Sequence, residues 1–228
     1  MDNRFQRLEL LYGKENVEKL NNSTVLVLGL GGVGGYVVEA LSRSSIGKLI
    51  LVDSDIVDIT NINRQIIATS ETVGKYKTEC FKERIKTINP NCEVVLINKF
   101  IDESNYLELF SDKIDFVVDA IDSIKTKELV IKYSLENNIN IISSMGTGNK
   151  IDPSKLQITD IRKTSYDPIA KRIRKYLKDN NISKKLNVCF STEVGVQKSI
   201  KTIPSNSFVP SSAGLLIASH VINTIINK

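Results

Sequence analysis

Residues Thr24-Val-Leu-Val-Leu28 run without a break into Gly29-Leu-Gly31-Gly32-Val-Gly34-Gly35, and a helical apolar pattern follows over Val33–Ser45. A buried strand feeding a glycine turn that opens a helix admits few folds. The glycines let the backbone turn tightly and approach a phosphate, and a helix N-terminus favours negative charge. Gly29, Gly31, Gly32 and Gly34 are therefore candidate nucleotide contacts. The next apolar run, Lys48–Val52, ends at Asp53, 19 residues beyond Gly34. A carboxylate there is placed to accept hydrogen bonds from ribose hydroxyls. Loop and acid together indicate a nucleotide, but they do not choose between NAD and ATP.

The same alternation continues along the chain. Glu93–Ile97, Phe116–Val118 and Asn140–Ile142 read as strands, and Lys75–Ile88 and Ile124–Asn137 as helices. Strands alternating with helices predict an α/β fold of Rossmann type, a doubly wound and mostly parallel sheet with helices on both faces. Residues 2–20 read as one amphipathic helix with Phe5, Leu8, Leu11 and Leu20 on its apolar face. Beyond Lys150 the pattern changes. Lys155–Ile161 and Asn187–Ser191 read as strands that extend the same sheet, Ile169–Asp179 as a basic helix, and Thr192–Ser207 as an exposed loop. The expectation is a single domain over 1–228, with 1–150 binding the nucleotide and 151–228 serving as substrate-binding and dimer extension. The apolar run Ser211–Ile226 is interrupted by Ser219, His220 and Asn223 and is too short for a span, so it reads as a docked helix.

The residues after Asp53 carry more chemistry than a nicotinamide enzyme needs. Asp55, Asn61, Arg64 and Lys77 cluster behind the second strand, and Asp122 follows the fourth. An enzyme cleaving ATP between its α- and β-phosphates needs such cations, because charge builds on the phosphoryl oxygens in the transition state. Arg64 offers a fork matched to phosphate and Lys77 a point charge. Scattered Lys and Arg are otherwise most often a solvated face.

The strings GLGGVG, LVDSD, TNINRQ and TVGKYK resemble, in order and spacing, the ThiF/MoeB group of the ubiquitin-activating-like superfamily. That resemblance implies a role for each residue. Asp53 would hold the ribose, with Asp55 beside it at the nucleotide. Asn61, Arg64 and Lys77 would surround the triphosphate of ATP, and Asp122 would lie near the α-phosphate and help to hold Mg²⁺. Arg7 would reach into a partner subunit's site, which implies a homodimer. Without the resemblance, Arg7 is equally a surface residue and Asp122 a helix N-cap.

The second half is similar to the tRNA threonylcarbamoyladenosine dehydratases, through Ser143-Ser-Met-Gly-Thr-Gly-Asn149, Arg162-Lys-Thr-Ser-Tyr-Asp-Pro168 and Phe190-Ser-Thr-Glu193. By that resemblance the threonyl carboxylate of N6-threonylcarbamoyladenosine in tRNA is adenylated. The neighbouring carbamoyl group then closes a ring and expels AMP. A carboxylate is a poor electrophile until its leaving group becomes AMP, and an intramolecular second step needs no protein nucleophile. Some relatives also work with a sulfur-transfer protein, so the resemblance implies such a protein as a further partner.

Charge distribution agrees with an RNA partner. Residues 162–185 hold nine Lys and Arg against two Asp, a local +7 that exceeds the +5 of the whole chain. Lys171, Arg172, Arg174 and Lys175, with Tyr166 and Tyr176 nearby, are the candidate tRNA contacts. A solvated helix face is the ordinary alternative. The three cysteines, Cys80, Cys92 and Cys189, form no CxxC pair, and His220 is the sole histidine, so a four-ligand zinc site is nearly excluded. The same usage fits a reducing cytoplasm. Cys189 reads as a buried structural thiol, Cys80 as a core or boundary residue and His220 as a packing position. Three other activities compete: adenylation of a ubiquitin-like sulfur carrier at its C-terminal glycine, nucleotide sensing by an RNA-binding module without catalysis, and nicotinamide oxidoreduction.

Overall fold

The computed structural model describes residues 4–196 and 202–227. Seven strands form one sheet: β1 (Thr24–Leu28), β2 (Lys48–Val52), β3 (Glu93–Ile97), β4 (Phe116–Asp119), β5 (Asn140–Ser144), β6 (Leu156–Asp160) and β7 (Asn187–Ser191). Their order is β3-β2-β1-β4-β5-β7-β6, and every neighbouring pair is parallel except β6 against β7. The doubly wound, mostly parallel sheet expected from the sequence is present, extended by its two C-terminal strands. Strand order reverses between β1 and β4, which opens a crevice at the carboxyl ends of those strands.

Alternate residues of the central strands feed opposite cores. Val25, Val27, Leu49 and Leu51 pack with α3 (Gly34–Ser42) and α7 (Phe208–Ile226) through Val37, Leu41, Ala213, Ile217 and Val221. Leu26, Leu28, Ile50 and Val52 face the other way. They meet Val130 and Ile131 of α5 (Ile124–Glu136) and Ile173 and Leu177 of α6 (Pro168–Asp179). Burial on both faces is why the strands read as unbroken apolar runs. The remaining long helix, α4 (Lys77–Ile88), contributes Phe81 and Ile85 to the first core.

Two expectations need correction. The helix over 2–20 is two helices, α1 (Gln6–Tyr12) and α2 (Lys14–Asn21), separated by Gly13 at φ +84. The glycine redirects the chain, so no single apolar face runs through both. Leu20 is buried, whereas Leu11 is 74% exposed. Residues 2 and 3 lie outside the described part. The loop over 192–207 is also more than an exposed connection, although 197–201 lie outside the described residues. Asn149 N–H donates to the Pro204 carbonyl at 2.7 Å and Asn63 Nδ2 to the Ser205 carbonyl at 3.0 Å, binding this stretch to the sheet's carboxyl edge. As expected, α7 is docked: it is 19 residues long and apolar, and half of it is buried in the first core.

Candidate active site

At the crevice the glycine loop is shaped by contacts a side chain would destroy. Gly29 has φ +82, and a Cβ on it would lie 2.6 Å from the Ala120 carbonyl oxygen. A Cβ on Gly34 would lie 1.8 Å from the Gly29 carbonyl oxygen. These two glycines press the loop against the end of β4 and close the first turn of α3. Gly31 differs: its added Cβ would meet only Gln65 Nε2, at 3.8 Å. Its open side faces a cavity of about 1000 Å³, large enough for a nucleotide.

Asp53 holds that loop in place. Its Oδ2 accepts from Leu30 N–H at 2.7 Å and its Oδ1 from Asp55 N–H at 2.8 Å. Burial pushes its carboxyl above the usual range; Lys77 and the two backbone donors oppose that rise. Lys77 is buried, donates to Asp55 Oδ2 at 2.8 Å and lies 3.8 Å from Asp53 Oδ2. The buried Lys77 thus joins Asp53 and the exposed Asp55 at the cavity wall.

The chain between β2 and α4 brings Asn61 and Arg64 to the same cavity. Asp58 starts a short 3₁₀ turn, Ile59–Asn61, in which Asn61 Oδ1 accepts from Asp58 N–H at 3.1 Å. Arg64 donates to the Thr60 carbonyl and to Asn63 Oδ1, both at 2.9 Å, and its side chain lines the cavity. Beside it, Gln65 is buried and its Oε1 has no hydrogen-bond partner. A buried orphan acceptor is costly without a partner, so polar ligand contacts suit this wall. Sequence reasoning overlooked Gln65, although its place directly after Arg64 was a usable signal.

Asp122 is exposed, lines the cavity, and accepts no hydrogen bond from any described residue. The N-cap of α5 is Ser123, whose Oγ accepts from Thr126 N–H at 3.5 Å; Asp122 is therefore not the cap. Ile203 and Ser205 also reach the cavity.

Of the predicted residues, Gly29, Gly31, Gly32, Asp53, Asp55, Asn61, Arg64, Lys77 and Asp122 share this one cavity. Gly34 supports it from behind. Arg7 lies on α1, exposed and outside the cavity. The α6 cations divide. Lys171 and Lys175 are exposed, and Arg172 pairs with Glu128 at 3.3 Å. Arg174 is half-buried and donates to the Ile161 and Thr164 carbonyls, so it holds the preceding turn together.

A buried ion pair beneath the site also went unread in the sequence. Lys127 and Asp119 are fully buried 2.8 Å apart, and Lys127 also donates to Ser143 Oγ and the Ser144 carbonyl. It ties α5 to the ends of β4 and β5, the strands that deliver Asp122 and the stretch containing Thr147. Cys189 is buried and its thiol is pushed up to about 12 by burial, as a structural thiol should be. Cys80 is buried in α4, and its thiol is also pushed up by burial.

A strand–glycine loop–helix at a switch point, with two cations and a free carboxylate lining one cavity, defines a nucleotide-binding α/β site built for phosphate chemistry. The family model described as "ThiF family" matches residues 4–228. The chain belongs to the ThiF family, in the group of the tRNA threonylcarbamoyladenosine dehydratases. It is 46% identical to the Bacillus subtilis enzyme of that name, across 97% of this chain and 94% of that one. It is 40% identical to the Escherichia coli enzyme, across 83% of this chain and 74% of that one. The solved E. coli tRNA N6-threonylcarbamoyladenosine dehydratase in complex with ATP superposes with a TM-score of 0.93 at 35% identity, covering 98% of this chain and 94% of that one.

Proposed function

We propose that this chain is an ATP-dependent tRNA threonylcarbamoyladenosine dehydratase. It adenylates the threonyl carboxylate of N6-threonylcarbamoyladenosine and lets the neighbouring carbamoyl group displace AMP, with net loss of water. One observation carries the reading: Arg64, Lys77 and Asp122 line the same cavity as the open face of Gly31. The glycine loop and the start of α3 would cradle phosphates, and Asp53 would accept from the ribose while anchoring Leu30. Arg64 and Lys77 would neutralise charge that grows as the α–β phosphate bond breaks. For this, Lys77 exchanges its contact with Asp55 for phosphate.

Asp122 would be the protein ligand of Mg²⁺, which would supply positive charge to offset that of the phosphates. A magnesium site of this kind needs few carboxylates, since the ion keeps waters and phosphate oxygens.

The exposed cations of α6 would meet the tRNA backbone. Arg7 would act in the cavity of a second copy, since it does not line the cavity of its own chain. Exposed Leu10 and Leu11 on the same helix suit self-association. Three free cysteines suit a reducing compartment such as the cytoplasm. The discriminating experiment supplies ATP and Mg²⁺ with either modified tRNA or a ubiquitin-like carrier protein. AMP formed with the tRNA alone supports the proposal. AMP formed with the carrier alone assigns the cavity to sulfur-carrier activation.

A further inference from the structure

Among the described residues, five other than glycine have positive φ: Ser45, Asn138, Asn149, Tyr166 and Asn181. Four are small or amide residues, which tolerate the left-handed region, and Asn138 and Asn181 each directly follow a helix C-cap. Tyr166 is different. It is bulky, it stands directly before the N-cap of α6 rather than directly after a C-cap, and its φ is +56. It is also 75% exposed, so core packing does not compensate the strain. Strain that packing does not explain points to function.

The next residue fixes where the ring stands. Asp167 is buried and caps α6 by accepting from Ala170 N–H at 2.8 Å. Its other oxygen accepts from Gly146 N–H at 3.0 Å. Gly146 precedes Thr147 and Gly148, which line the cavity. One carboxylate thus ties the cavity wall, the basic helix and the root of Tyr166 together. Lys163 and Lys171 are exposed on either side of the tyrosine in sequence.

We infer that Tyr166 is a base-stacking platform that takes an unpaired base beside the modified adenosine and so sets the RNA loop in register with the cavity. The inference rests on the RNA reading above. The exposed Lys163 and Lys171 supply sequence-independent attraction to phosphate, and an exposed aromatic face supplies stacking, the usual pairing for single-stranded RNA. The left-handed backbone turns the ring outward, and Asp167 keeps its root fixed relative to the cavity.

The test uses the full chain and an RNA stem-loop carrying the modified adenosine, with 2-aminopurine as the neighbouring base. Tyr166→Ala is expected to weaken stem-loop binding about tenfold and to abolish the 2-aminopurine quenching. Tyr166→Phe keeps both within about twofold of wild type, since it retains the ring. ATP affinity is unchanged in each. Tyr166→Gly relieves the backbone strain, so its Tm is expected at or slightly above wild type while RNA binding is still lost. That combination separates stacking from damage to the fold. Wild-type binding and quenching by Tyr166→Ala overturn the inference, and so does equal weakening by Ala and Phe, which would assign the effect to the hydroxyl. Wild-type protein that binds the stem-loop with quenching but forms no AMP overturns the proposed activity and leaves the stacking supported.

Discussion

The ammonium of Lys127 lies 2.8 Å from Asp119 Oδ2, and both side chains are fully buried. Asp119 Oδ1 also accepts from Ile121 N–H at 3.3 Å, one residue before Asp122. Removing one member of a buried pair strands the other charge. Lys127→Ala should therefore cost about 3–5 kcal/mol in urea unfolding. Lys127→Met combined with Asp119→Leu should cost clearly less, because no lone charge remains. Equal losses in the two proteins would contradict the stranded-charge account, because the double variant keeps side-chain volume and leaves no lone charge.

Glycines of the loop should separate into two kinds. Gly34→Ala places a methyl 1.8 Å from the Gly29 carbonyl oxygen, which backbone must move to accommodate. A loss of at least about 2 kcal/mol is expected. Gly31→Ala has open space on its cavity side and should keep its Tm within about 2 °C. Its ATP affinity should fall, because the methyl occupies the approach to the phosphates. Calorimetric titration of both variants with ATP checks the contrast.

Lys77 should control the ionisation of Asp53. Burial raises the Asp53 pKa and Lys77 opposes that rise. Lys77→Met should therefore move the Asp53 pKa further up, as followed by NMR titration of its side chain. Protonation removes an acceptor, so ATP binding by the variant should weaken as pH falls through that higher pKa. In stability the sign is opposite. A raised native pKa means that the folded state holds the proton more tightly, so this group's contribution favours folding as pH falls.

Cations of α6 should divide by their contacts. Replacing Lys171, Arg172 and Lys175 together with Ala should weaken tRNA binding with little effect on ATP. It should also reduce the slope of log affinity against log salt by about 2–3. Arg174→Ala should instead lower Tm, because this side chain holds the Ile161 and Thr164 carbonyls. Unchanged salt dependence in the triple variant would place the RNA elsewhere.

The sheet was legible because burial on both faces leaves unbroken apolar runs between glycine and proline breaks. The cavity was legible because its residues lie in short strings with fixed spacing, from Gly29 to Lys77. What local pattern missed was set by tertiary contact. Gly13 fits either a helix interior or a break until its φ is known. Lys127 looks like any helical lysine until α5 lies against β4 and β5. Arg174 cannot be told from its basic neighbours until the 161–164 turn folds onto it. Lys77 resembles a free cation until α4 buries its side chain against Asp55.

The claim that one cavity activates the carboxylate is tested most directly by mass analysis of anticodon-loop nucleosides after incubation of tRNA bearing N6-threonylcarbamoyladenosine with ATP, Mg²⁺ and protein. Wild type should convert that nucleoside to a product lighter by one water and release AMP. Arg64→Ala and Asp122→Ala should keep their Tm and lose at least about a hundredfold in rate. Conversion at the wild-type rate by either variant would contradict the account.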